Sequence, residues 1–152
     1  MAAGIVFCSL FKLSAQEDNS AAMKRIRMKD EAEMKSIKAT LSFLKTSPSG
    51  LMYSQMAYQK GKNAKPAKFT KVTIRYALRT IDNQKEVKAY NKIPEEIALD
   101  KLPYGIQEAI KMMNLGAQCT VYMPASLSKS KYGDIGKGRA VGGLIELISV
   151  AP

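Results

Sequence analysis

The sequence contains no histidine. This removes the side chain most used as a general base near neutral pH and the commonest ligand for transition metals. A serine–histidine–aspartate triad goes with it. The two cysteines, Cys8 and Cys119, are far apart and form neither a CxxC pair nor a zinc pattern. Cys8 lies in an apolar N-terminal stretch. Cys119 falls in an expected strand and reads as a reduced, buried thiol packing as a small hydrophobe. No apolar run reaches the roughly 18–20 residues of a membrane span, so no transmembrane span is expected. Acidic residues are missing altogether between Glu33 and Asp82.

That acid-free interval carries eight lysines and two arginines, from Lys35 to Arg79, and holds nearly all of the net charge of +11. Such a patch can attract nucleic acid, anionic headgroups or an acidic protein. Its lysines have little aromatic interleaving and match no nucleic-acid module signature. The expected state is a solvated basic face, and nucleic acid is not an expected partner.

With 152 residues, 46% of them apolar, the chain has the length of one domain and the material for a core. Residues 1–16 read as an apolar targeting segment ending in Leu13-Ser14-Ala15-Gln16, although a basic leading region is missing. The expectation is an exported or periplasmic protein, or a cytoplasmic one where residues 1–16 are not a signal. The domain plan is 1–16 targeting segment, 17–46 N-terminal helix and 47–152 folded domain.

Residues 19–45 predict a helix, with Asn19 or Ser20 as its cap. Met34, Ile37, Leu41 and Leu44 recur at spacings of one helical face, opposite Lys35, Lys38 and Ser42. Ser47-Pro48-Ser49-Gly50 is a turn. A strand over 51–58 and a Lys/Gly/Pro loop over 60–68 follow. In 71–81, Val72, Ile74, Tyr76 and Leu78 alternate with Thr73, Arg75, Ala77 and Arg79, which predicts a strand with one buried and one basic face. Residues 87–99 look irregular around Ile93-Pro94. A second helix is expected over 103–114, with Ile106, Ala109, Ile110 and Met113 as its buried face. Proline suits its first turn, and Gly116 ends it. A strand over 118–124, a long loop over 126–143 and a last strand over 144–150 complete the chain. Several strands around one helix indicate an α+β fold: an antiparallel sheet curled round one central helix, preceded by the N-terminal amphipathic helix.

Gly133-Asp134-Ile135-Gly136-Lys137-Gly138 lacks the spacing and the Ser/Thr of a phosphate loop, and it precedes a strand. No metal site and no cofactor is expected. Any activity must rest on binding and shaping a substrate.

Five short stretches occur in a fixed order: Ser47-Pro48-Ser49-Gly50-Leu51-Met52-Tyr53; Val72-Thr73-Ile74-Arg75-Tyr76 with Ile81-Asp82; the segment from Gly105-Ile106-Gln107-Glu108-Ala109 to Gly116; Tyr122-Met123-Pro124 with Tyr132-Gly133; and Ile145-Glu146-Leu147-Ile148. Together they resemble the FKBP-type peptidyl-prolyl cis-trans isomerases in their secreted bacterial form, over about a hundred residues. The resemblance implies a sheet curled round one helix and polypeptide substrates or a protein client. It also implies a homodimer formed through the N-terminal helix. The implied reaction, rotation about an X–Pro bond, crosses a barrier of roughly 20 kcal/mol set by amide resonance. It needs no covalent step, only a dry pocket that favours the twisted amide.

The pocket that the resemblance implies is mixed. Tyr76 matches the family's strand tyrosine, Tyr132 its loop tyrosine and Leu102 an aliphatic wall. Ile106 stands at the tryptophan floor. The family's Phe-Asp pair falls on Glu86-Val87, or on Val87-Lys88 with a one-residue slip, and both ways lose the ring and the acid. The backbone N–H donor falls on Pro103, which has none. The aromatic before the closing strand falls on Gly143. Losing one positioned donor costs roughly 3 kcal/mol of transition-state stabilisation on the scale of oxyanion holes. The expected function is an isomerase-like domain acting on X–Pro bonds with catalysis weak or lost. The alternative is a non-catalytic interaction or chaperone module using the groove or the basic face.

Overall fold

The computed structural model describes the backbone of residues 3–56 and 68–152 and the side chains of 20–54 and 68–152. Its organising element is the strand with the strict alternation, β3 (Lys71–Thr80). Val72, Ile74, Tyr76 and Leu78 are buried along one side of it. Every residue of β3 pairs antiparallel with β9 (Val141–Ala151), with a register shift at Thr73/Ile74. On the far side of β9 lie β6 (Gln118–Met123), β2 (Met52–Met56) and β1 (Lys45–Thr46). All the ladders are antiparallel.

The other edge of β3 is shared. β5 (Glu95–Ala98) pairs with its first half and β4 (Glu86–Lys88) with its second. These strands replace the irregular run expected over 87–99. Proline cannot donate to a ladder, and Pro94 stands just before β5. In the gap, the Asn91 side chain substitutes for backbone. Its Oδ1 accepts from Tyr76 N at 2.9 Å, and its Nδ2 donates to the Ile74 carbonyl at 3.0 Å.

The helix α2 (Tyr104–Met112) lies in the hollow of the sheet. Ile106, Ala109, Ile110 and, just past its end, Met113 are 0–1% exposed. They pack on Leu51, Ile74, Leu78, Val121 and Ile145. Each such aliphatic side chain contributes about 1.5–3 kcal/mol by burial. Cys119 belongs to the same core, and burial pushes its thiol up to about 11.

The first helix, α1 (Ala3–Thr40), starts earlier and ends sooner than the sequence suggests. It runs without a break past Asn19 and Ser20, so neither caps it. After Thr40 the chain closes a last turn through Leu44 N–H to the Leu41 carbonyl. Met23, Ile26, Met34, Ile37 and Leu41 are half-buried along one stripe, and Leu44 is buried. Among the described residues, no helix is long and apolar enough to cross a membrane. The loop expected over 126–143 contains a hairpin, β7 (Lys129–Ser130) with β8 (Gly133–Asp134), and β9 begins earlier than expected, at Val141. Most of the loop expected over 60–68 lies outside the described residues.

Candidate functional site

The residues assigned to a pocket come from separate elements around the core. Tyr76 projects from β3, and Val87 comes from β4. Leu102 and Pro103 follow a 3-10 turn (Leu99–Lys101), and Ile106 lies in the first turn of α2. Tyr76, Leu102 and Ile106 belong to the core cluster and Val87 packs against it. Leu102 and Ile106 have no exposed surface, and Tyr76 keeps 6%.

Pro103 caps α2 with φ −53° and ψ 146°. It has no N–H to offer, while its carbonyl accepts from Gln107 N at 3.0 Å. The Gln107 side chain reaches back and donates to the Leu102 carbonyl at 2.7 Å. The turn that would present a backbone donor is therefore locked by acceptors.

Lys88 faces the same side as Tyr76, because it pairs with Leu78 across the β3–β4 ladder. Its ammonium lies 5.1 Å from the Tyr76 ring centre and 3.1 Å from Glu95 Oε2. Burial holds the Tyr76 phenol above its usual pKa, the Lys88 charge works against this, and the Glu95 charge adds to it. The phenol makes no hydrogen bond among the described residues.

Tyr132 sits apart, at the tip of the β7–β8 hairpin, and is 62% exposed. Its hydroxyl donates to Asp100 Oδ2 at 3.3 Å, and Lys131 Nζ approaches the same oxygen at 2.9 Å. The lysine, with the tyrosine's help, holds the Asp100 carboxyl below its usual range. The hairpin is thereby pinned to the turn before Leu102.

Gly143 lies opposite Leu78 in the β3–β9 ladder. A Cβ there would come within 1.9 Å of the Ala77 carbonyl oxygen. No side chain fits without moving β3, so an aromatic at this position is excluded by backbone as well as by sequence.

None of three hollows among the described residues is lined by Tyr76, Val87, Leu102, Pro103, Ile106 or Tyr132. The largest of these three, about 680 Å³, lies between α1 and the segment from Pro124 to Ala140. A second, about 390 Å³, separates Glu33 and Ile37 of α1 from the outer face of the sheet at Ala77, Thr120, Tyr122 and Leu144.

The architecture decides the comparison with known proteins. The chain has the FKBP fold. It aligns with FkpA from Escherichia coli at a TM-score of 0.72 and 23% identity, over 96% of this chain and 70% of that one. A peptidyl-prolyl cis-trans isomerase from Pseudomonas syringae pv. tomato aligns at 0.68 and 23% identity, over 85% and 96%. AtFKBP13 aligns at 0.54 and 21% identity, over 71% and 98%. No protein-family model and no curated protein sequence matches the chain.

Asn91, Asp100 and Lys131 were not singled out in the sequence. Asn91 carried a usable signal: an amide side chain in a strand interrupted by proline can stand in for the missing backbone pair. Asp100 and Lys131 carried none, because charged residues at turns of a basic chain draw no attention.

Proposed function

We propose that the chain is a peptidyl-prolyl isomerase-like domain of the FKBP fold that binds polypeptide at X–Pro segments, with isomerase catalysis weak or lost. The observation that carries this is Pro103. At the position expected to donate a backbone N–H to the twisting amide, the chain has a residue with no N–H. Three further features act in the same direction. Ile106 replaces a ring at the floor and is fully enclosed. A lysine with its glutamate partner stands over Tyr76 in place of a lone acid. Tyr132 is engaged with Asp100 at the surface. Catalysis requires contacts made more strongly in the transition state than in the ground state, and these residues offer few.

Binding is the part that the proposal keeps, and what supports it is that Tyr76 and Leu102 belong to one apolar cluster with Val87 packed against it. The basic face is a weaker candidate for a partner, because Arg75 is paired with Glu146 at 3.3 Å and Lys71 approaches Glu96 at 3.9 Å. The reading includes the domain plan of 1–16, 17–46 and 47–152, an exported location and a homodimer formed through α1. The test is a titration of the ¹⁵N-labelled chain with an Ala-Leu-Pro-Phe peptide. Shifts confined to residues around Tyr76, Val87 and Leu102, insensitive to salt, support it. Shifts only along Lys35–Arg79, with steep salt dependence, overturn it in favour of an electrostatic surface.

A further inference from the structure

α1 meets the rest of the fold through a buried acid. Asp30 is 5% exposed, although its neighbours Lys29 and Glu31 are exposed. Its Oδ2 accepts from the Ala140 backbone N–H at 2.7 Å. Asp82, just past β3, has a side chain only 9% exposed, and its Oδ2 is held by Arg139 at 2.8 Å. The second oxygen of each carboxylate, Asp30 Oδ1 and Asp82 Oδ1, is buried without a partner among the described residues. A buried carboxylate oxygen that accepts nothing is costly, and a nearby like charge adds to that cost. Arg139 is already committed to Asp82. A proton on Asp30 relieves the cost by removing its charge.

We propose that Asp30 is a proton-linked latch that seats α1 on the FKBP fold, closing in acid and loosening as the pH rises. The charged groups that bear on Asp30 are Asp82 beyond β3, Arg139 before β9 and Lys29 on α1 itself. Arg27, Glu31, Lys35, Lys129 and Asp134 line the adjoining cleft. Desolvation, reinforced by Asp82, raises the Asp30 pKa against the opposing Ala140 hydrogen bond and the Arg139 and Lys29 charges. The sign follows from linkage. A carboxyl whose pKa is raised on docking keeps its proton longer in the docked state. Docking is therefore strongest below the ordinary value of 3.8, weakens as pH climbs to the raised value, and levels off beyond it. The Met23 side chain contributes to the same seat. It lies so close to Gly138, φ +80°, that a Cβ there would fall 2.6 Å from its Cε.

The test is NMR on the full chain: carboxyl titration of Asp30, with amide exchange at Ala140, in the wild type, Asp30→Asn and Asp30→Ala. Asp30 is expected to titrate above the ordinary carboxylate range. Ala140 protection, corrected for intrinsic exchange, falls as the pH passes that step. Asparagine can accept from Ala140 without charge. Asp30→Asn thus raises protection at pH 7, about tenfold per pKa unit removed, and abolishes the pH dependence. Asp30→Ala loses Ala140 protection at every pH while the β3–β9 amides stay protected. Titration of Asp30 in the ordinary carboxylate range would overturn the proposal. So would an Asp30→Asn variant that loses protection as Asp30→Ala does.

Discussion

Two helices flank one sheet here, held by opposite means. α2 lies in the hollow of the sheet and presents Ile106, Ala109, Ile110 and Met113 to it with no more than 1% exposure. α1 lies on the outer side, leaves its apolar stripe half-buried, and is anchored by a buried carboxylate on a backbone N–H. A hollow of about 390 Å³ remains under Ile37. The inner helix is therefore part of the core and the outer one an attachment to it. The comparison also bears on function, since Tyr76, Leu102 and Ile106 belong to the core around α2, where packing has closed over them.

Truncation of one isoleucine on each helix breaks or sharpens the contrast. Ile110→Ala leaves a cavity in a dense core and is expected to cost about 2–5 kcal/mol in urea unfolding. Ile37→Ala on α1 is expected to cost below about 1 kcal/mol. Equal losses would make α1 a core element and end the comparison. Next in size is Gly143→Ala. Its Cβ meets the Ala77 carbonyl, and overpacking of that kind costs about 1–3 kcal/mol. A neutral result would show that β3 can give way and that the site has room for a ring. Cys119 reports on the α2 side without any mutation. With its thiol up at about 11, labelling at pH 8 should proceed at the rate of unfolding, because the thiolate is the nucleophile. Fast labelling of the folded chain would mean that this side opens locally. The smallest effect is expected at the hairpin tip. Asp100→Asn removes an exposed ion pair with Lys131 and should leave thermal stability within about 0.5 kcal/mol.

Regular packing was legible in the sequence and local exceptions were not. The alternation in β3 and the apolar face of α2 showed their burial directly, because each repeats over several turns or pleats. The interrupted edge of β3 was hidden, because Pro94 breaks the pattern and one asparagine side chain repairs it. Asp30 could not be found at all: between Lys29 and Glu31 it looks like any residue on a solvated face. In the candidate site, the resemblance named Tyr76, Val87, Leu102, Pro103 and Ile106, and the burial of Tyr76 and Ile106 follows from the same alternation and helical face that predict the core. The position of Tyr132 depends on Asp100 and Lys131, a contact spanning 32 residues in sequence that no local pattern encodes.

The central claim is that the site has lost its means of stabilising a twisted amide. Exchange NMR on an Ala-Leu-Pro-Phe peptide tests it most directly, using the full chain alongside Pro103→Ile, with the fold of each checked by circular dichroism. The account predicts cis/trans exchange near the uncatalysed rate for the natural sequence and a measurable gain for the variant that regains the N–H. Exchange far above the uncatalysed rate in the natural sequence would contradict it and make this chain a working isomerase without that donor.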